Sequence, residues 1–236
     1  MRSSAATLET PLPVEHELKY AFPAPRAPMI HRWLAHRCIR DPRFPEGRIS
    51  TIYYDDRALS LLHAKLNSDF VKRKVRLRWY ADAATGVPAG TAFLEIKEKV
   101  GGRRSKARVP TPLAAAEVAG LGLQDPRLRG LLELLRNEGI WVAAGLQPCL
   151  LVRFQRRRFI EPTTGARVSV DMQIEAPRAN PMMLPVTGPV RLAHAVVEIK
   201  GPMDSLPHWL APLREMGCRR ESFSKYARCY LKLAAR

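Results

Sequence analysis

Apolar and polar residues alternate with a period of two in segments spread along most of the chain, the pattern of half-buried strands. Residues 14–20 put Glu15, Glu17 and Lys19 on one face and His16, Leu18 and Tyr20 on the other. Residues 48–55 have the β-branched and aromatic content of a second strand. In 71–80, Lys72, Lys74, Arg76 and Arg78 alternate with Val75, Leu77 and Trp79. The next strand, 92–99, places Glu95, Lys97 and Lys99 on one face. Gly101-Gly102 signals a tight hairpin, after which Lys106 and Arg108 alternate through 103–109. The sheet resumes over 150–154 and 155–159, where the alternation is not clean and leaves the inward set among Arg153, Arg156 and Arg157 open. Residues 166–172 follow with Arg167, Ser169 and Asp171 on one face, and 195–200 repeats the Glu-x-Lys pattern with Glu198 and Lys200.

Helical periodicity is confined to shorter stretches. Residues 27–38 carry an apolar stripe of Ile30, Trp33 and Leu34, and Asp55-Asp56 opens a turn or short helix through Leu62. Thr111 is placed to cap a helix beginning at Pro112. Residues 126–138 read as a second helix burying Leu128, Leu131, Leu132 and Leu135, and the two helices form one insert. A proline-rich loop (177–189), a helix over 206–216 and a terminal helix to about Ala234 complete the chain. About eight strands joined mostly by short turns suit an α+β fold. The expected form is an antiparallel eight-stranded barrel with helices packed outside, formed by one domain over 14–236 behind a flexible lead-in, 1–13. A closed barrel would turn Glu17/Lys19, Arg76/Arg78, Glu95/Lys97, Arg167/Asp171 and Glu198/Lys200 into one charged tunnel.

Charge sharpens this picture. The 236 residues include 39 Lys and Arg against 22 Asp and Glu, a net charge of +17. Such an excess implies an anionic partner, and a row of cations on one strand face is unfavourable unless water or an anion compensates it. A solvated edge strand is the alternative for 71–80 taken by itself. The four cysteines lie far apart without a C-x-x-C pair, which argues against a zinc site and a disulfide framework. The N-terminal stretch lacks an apolar core and no long apolar run follows, so the expectation is a soluble cytoplasmic protein. P-loop, dinucleotide-fold and G-x-S-x-G patterns are absent, and the six histidines are scattered. Aromatic residues are not interleaved with the cations as single-stranded nucleic acid would require. Cations with a few carboxylates on strand faces are what phosphoryl transfer needs. Carboxylates facing a basic lumen suit hard cations such as Mg²⁺ or Mn²⁺.

Eight segments in order, E-H-E-L-K-Y (15–20), S-T-I-Y-Y-D (50–55), V-R-L-R-W-Y (75–80), L-E-I-K (94–97), S-K-A-R (105–108), R-V-S-V-D (167–171), V-E-I-K (197–200) and F-S-K-Y (223–226), resemble the VTC domain. This family is the polyphosphate polymerase branch of the triphosphate tunnel metalloenzymes. The resemblance implies extension of inorganic polyphosphate from ATP inside a tunnel of antiparallel strands. It implies Lys19, Arg76, Arg78, Lys97 and Lys200 as catalytic cations, and Lys106, Arg156, Arg167, Ser224 and Lys225 as substrate contacts. Glu198 would hold Mn²⁺ or Mg²⁺, with Glu15, Glu17 or Glu95 nearby, while Lys72 and Lys74 would lie nearer a rim. ATP and polyphosphate are the implied partners, with no specific nucleic acid; relatives coupled to membranes add a membrane protein as a candidate. Two positions depart from the family pattern: Phe154 stands where a tyrosine is usual, and Ser222 where a lysine commonly precedes F-S-K-Y, with Arg219 or Arg220 as compensation. A triphosphate hydrolase of the same fold and a non-catalytic polyphosphate- or inositol-phosphate-binding module are the competing readings.

Overall fold

The period-two segments join one antiparallel sheet in the computed structural model, which describes residues 16–185, 188–201 and 207–236. Its strands are β1 (His16–Pro23), β2 (Ile39–Arg40), β3 (Glu46–Asp55), β4 (Val71–Ala81), β5 (Pro88–Val100) and β6 (Arg103–Ala114). They continue with β7 (Gln147–Ile160), β8 (Arg167–Ala179), β9 (Val190–Arg191), β10 (His194–Gly201) and β11 (Arg219–Arg220). The pairing path is β11-β1-β10-β8-β7-β3-β4-β5-β6, with β2 added to β7 and β9 to β8.

The closed eight-stranded barrel expected from the sequence requires correction. The sheet has eleven strands, three of them only two residues long, and among the described residues no ladder joins β6 to β11. Two features leave this seam open. Pro110 and Pro112 remove ladder donors from β6, and β11 is too short to present a matching edge.

Helices α1 (Ala27–Arg37), α2 (Ser60–Leu66), α3 (Ala115–Gly120), α4 (Pro126–Gly130), α5 (Leu132–Asn137), α6 (Pro212–Glu215) and α7 (Lys225–Ala234) cover the sheet. One set of alternating residues, with Ile52, Val75, Leu77, Trp79 and Leu94, packs beneath α3, α4 and α5. Leu18, Tyr20, Phe22, Val168, Val197 and Ile199 on the same side of the sheet pack against Ile30 and Leu34 of α1. The opposite face is shared. Ile49, Tyr53, Val152, Phe154, Ile174 and Val196 receive Tyr226, Ala227, Cys229 and Leu233 of α7, and the rest of that face is charged.

Several boundaries differ from expectation for identifiable reasons. The helix expected at Pro112 starts only at Ala115, because β6 continues through Thr111, whose hydroxyl donates to the carbonyls of Ala92 (3.0 Å) and Leu113 (3.1 Å). Glu117 supplies the cap instead, accepting from the Ala114 N–H at 2.8 Å. The 126–138 helix breaks after Gly130 into α4 and α5, its leucine stripe buried all the same. Residues 207–216 form a 3-10 turn (His208–Leu210) and α6, divided by Pro212, while Leu206 lies outside the described residues. Between β7 and β8 the register shifts twice, and Gln173 takes a positive φ of 52°. Both bulges lie in β8; β7 itself alternates, and its pattern looks imperfect because both faces are covered there, Leu150, Val152 and Phe154 by the α7 cluster and Leu151 by the α3–α5 layer.

Asp55 anchors the last helix to the sheet. Its buried carboxylate accepts from the N–H groups of Asp56 (3.0 Å), Leu61 (2.9 Å) and Leu62 (3.0 Å) and from the Tyr226 hydroxyl (2.9 Å). The Tyr226 ring stacks on Tyr53 at 4.8 Å between centroids. Asp55→Ala strands these donors and is expected to cost about 3 kcal/mol of unfolding free energy in urea titrations, against about 1 kcal/mol for Tyr226→Phe. Equal losses would mean that Tyr226 is the only partner that matters.

Candidate functional site

Strand register sets the site. Lys19 pairs with Glu198 and Glu17 with Lys200 across β1 and β10, and Lys200 pairs with Arg167 across β10 and β8. Arg156 of β7 pairs with Asp171 of β8. On the other wing Arg76 pairs with Glu95 and Lys74 with Lys97, and these continue to Arg108 and Lys106 on β6. All stand on the sheet face away from the α1 and α3–α5 layers.

Two carboxylate-centred clusters organise this face. Glu95, with 3% of its side chain exposed, accepts from Arg76 at 2.7 Å (Nε) and 2.5 Å (Nη2), and lies 3.7 Å from both Arg78 and Arg108. Burial pushes the Glu95 carboxyl upward, but Arg76 and Arg78 outweigh it and hold it at about 2. Arg78 also donates to Thr51 Oγ1 at 3.2 Å, and the Arg108 guanidinium lies 3.7 Å from the centroid of the Phe93 ring.

In the second cluster Asp171, with no exposed side chain, accepts from Arg156 Nε at 2.5 Å and Nη2 at 2.7 Å and from Lys225 Nζ at 2.5 Å. Arg156 reaches Glu198 at 3.4 Å, and Lys200 lies 3.0 Å from Glu198 and 3.8 Å from Glu17. Lys19 closes the group 3.3 Å from Glu17. Burial opposes charge on Glu198, yet Lys200, Arg156 and Lys19 keep its carboxyl well below the usual range. Burial likewise opposes charge on Lys19, but Glu198 and Glu17 more than offset it, so its pKa lies above the ordinary lysine value.

Lys74 and Lys97 stand between the clusters under a different balance. Burial first, then Lys19 and Arg76, bring Lys74 down to about 7; burial, Arg76 and Lys200 do the same to Lys97. Lys74 Nζ lies 3.4 Å from Ser224 Oγ, so β4 meets the start of α7 on the charged face. Lys74 is therefore central, not at a rim. Ser224 caps α7, accepting from the Ala227 N–H at 3.5 Å. Lys106 and Arg167 are exposed, the first on β6 and the second beside Lys200.

The two departures from the family pattern have local counterparts. The Phe154 ring lies 4.5 Å from Lys225 Nζ and 5.5 Å from the Arg156 guanidinium, offering a π-face where a hydroxyl is usual. Ser222 accepts from Lys65 of α2 at 2.7 Å, whereas Arg219 and Arg220 are exposed on β11. Arg153 is 45% exposed and lies 3.8 Å from Glu175, and Arg157 faces His31 and Glu46, which leaves Arg156 as the inward one of the three, with Arg158 on the same face opposite Ser169. Lys65 carried no signal in the strand pattern. Asp171 did, through its face shared with Arg167 and Ser169.

Among the described residues no three His, Cys, Asp or Glu side chains converge as a ready metal cage. Glu17 and Glu198 are diagonal neighbours on β1 and β10, and their side chains interact directly. This donor set fits a hard cation that takes one or two carboxylates and completes its shell with water and phosphate oxygens. Glu95 lies apart, enclosed by guanidinium groups, and Glu15 is outside the described residues.

No curated protein matches the chain. Among solved structures, a "putative adenylate cyclase" from Vibrio parahaemolyticus is 13% identical, with 94% of this chain and 98% of that chain aligned at a TM-score of 0.48. A "putative adenylate cyclase" from Bacillus halodurans is 11% identical over 90% and 94% of the two chains, at a TM-score of 0.47. The VTC domain family model matches residues 14–234, nearly the whole sequence and every strand of the charged face, and the chain belongs to that family.

Proposed function

We propose that the chain is a metal-dependent polyphosphate polymerase, an ATP-polyphosphate phosphotransferase that adds the γ-phosphate of ATP to a growing inorganic polyphosphate. The channel would be the charged face of the eight long strands. One observation carries the reading: cations held in place by buried carboxylates stand opposite Lys74 and Lys97, whose low pKa values mark a lumen that favours an added anion. Two like charges about 4 Å apart repel by roughly 4 kcal/mol at an intermediate dielectric, and a polyanion converts that repulsion into attraction.

Phosphoryl transfer depends on positioning and charge neutralisation. Arg76, Arg78, Lys97, Lys19 and Lys200 would surround the transferring phosphate, while Lys106, Arg156, Arg167, Ser224 and Lys225 would grip the triphosphate and the chain. Glu95 would serve as the counter-ion that orients Arg76, Arg78 and Arg108, a different role from the metal ligand expected of it. Glu198 and Glu17 would hold the Mn²⁺ or Mg²⁺, which when bound neutralises charge on the phosphate oxygens. A terminal oxygen of the chain attacks the γ-phosphorus, the bond to the β-phosphate bridging oxygen breaks, and ADP leaves. The attacking oxygen is already anionic, so no general base is required, in keeping with a face lined by cations. A cytoplasmic setting supplies ATP and suits four buried free thiols.

Purified protein given ATP and Mn²⁺ is expected to release ADP and long polyphosphate; orthophosphate without polymer would make the chain a hydrolase. Glu198→Ala is expected to lower turnover by at least about a hundredfold and to retain triphosphate binding, as is removal of the metal by chelation. A variant of undiminished turnover would reject the metal assignment.

Protonation gives a separate check. Folded Lys74 and Lys97 lose their protons near pH 7, whereas an unfolded lysine keeps its proton to about 10.4. Between these limits the unfolded chain binds more protons, so these lysines make stability rise with pH above about 7. Bound triphosphate raises both pKa values, and binding at pH 8 should therefore take up protons. Calorimetry in buffers of unequal ionisation enthalpy would measure the uptake, which is expected to fall away by pH 6 and to shrink in Lys74→Met. Uptake unaffected by that change would reject the assignment.

A further inference from the structure

Asp171 is the most enclosed acid of the charged face, and among the described carboxylates of that face it is the one that joins a strand cation to a helix cation. It engages two cations from different elements at once: Arg156 of β7 through both oxygens and Lys225, the first residue of α7, through Oδ2. The Phe154 ring lies beside both cations. Lys225 follows Ser224, which caps α7 and meets Lys74 from the opposite wing. The carboxylate thus ties α7, at its first turn, to the strand that carries Arg156.

We infer that Asp171 is a positioning residue, which fixes Arg156 and Lys225 at a set separation so that together they match the spacing of adjacent phosphates. The inference rests on the phosphate-channel reading above, whether the channel polymerises, hydrolyses or only binds. A long Lys or Arg side chain otherwise loses rotamer freedom on meeting a ligand. A bidentate carboxylate partner holds the arginine before the ligand arrives. Asp171 itself faces no anion; it acts through the two cations.

Charge and positioning predict opposite results for Asp171→Asn. Removing a negative charge from a cationic face, by itself, tightens every anion and favours the more highly charged triphosphate, so the preference for it is held or raised. Loss of positioning lowers the preference for a linear triphosphate over a compact tricarboxylate. The measurement is the ratio of dissociation constants for inorganic triphosphate and citrate, by calorimetry, in the wild type and Asp171→Asn. We expect the preference for triphosphate to fall at least tenfold, with the melting profile still cooperative. An unchanged or increased preference would overturn the inference.

Should Asp171→Asn not fold, the double variant Asp171→Asn/Lys225→Gln, which removes one charge of each sign, is compared with Lys225→Gln. A further drop in preference of at least threefold in the double variant is expected, because Arg156 is still released; no further drop overturns the inference. Where the wild type turns over ATP, ADP release by Asp171→Asn should fall at least thirtyfold. A wild type without turnover would reject the polymerase reading alone, since the affinity ratio still judges Asp171.

Discussion

Repulsion among cations gathered on one sheet face is the constraint to which this structure answers. The net charge of +17 is not spread evenly over the surface; alternation on β1, β4, β5, β6, β7, β8 and β10 concentrates it on a single side. Three buried acids, Glu95, Asp171 and Glu198, and the half-buried Glu17 take up part of the load. Their count falls short of the cations around them, and the shortfall appears as the low pKa values of Lys74 and Lys97. A buried ion pair is weak evidence for stability on its own account, because desolvation consumes most of the Coulomb gain. These pairs are better understood as holding guanidinium and ammonium groups in fixed places.

Stability comes from elsewhere. The far side of the sheet buries two apolar layers, one under α3–α5 and one under α1 and α6. A third cluster lies on the charged side itself, where α7 packs against Tyr53, Phe154 and Ile174. At about 25 cal/mol per Å² of apolar surface, layers of this kind supply most of what holds a domain together. They allow the charged face to remain under strain without loss of the fold.

Much of this was legible in the sequence. Period-two alternation located the eight long strands and assigned Lys19, Arg76, Arg78, Glu95, Lys97, Glu198 and Lys200 to a common face, because a pleated strand leaves no other choice. Closure was not legible, since it depends on whether two distant edges can present matching donors and acceptors, and Pro110 and Pro112 deny this at β6. Thr111 has the chemistry of a cap and the position of a strand residue, and tertiary pairing decided for the strand. The inward position of Arg156 over Arg153 and Arg157 follows regular alternation from Leu150, Val152 and Phe154, which was masked in the sequence because apolar residues occupy both faces of that part of β7. Lys65 meets Ser222 only through the packing of α2 against α7, and Phe154 gains its cation neighbours only once Lys225 is in place.

The pairing of β1 with β10 has a kinetic consequence. His16 finds its partner at Gly201, and the Tyr226 hydroxyl reaches Asp55 across a sequence separation of 171 residues. Contacts this remote place the molecule among slow-folding topologies, since loop closure must precede the interactions that reward it. During synthesis, the strands from β3 to β8 can pair while the rest of the chain is still being made. The first strand waits for β10, and the basic face stays incomplete until α7 has been made and docks. Lys19, Lys200 and Lys225 thus join the cations of β4 to β8 last, and the apolar layer under α1 and α6 is completed by the same pairing of β1 with β10.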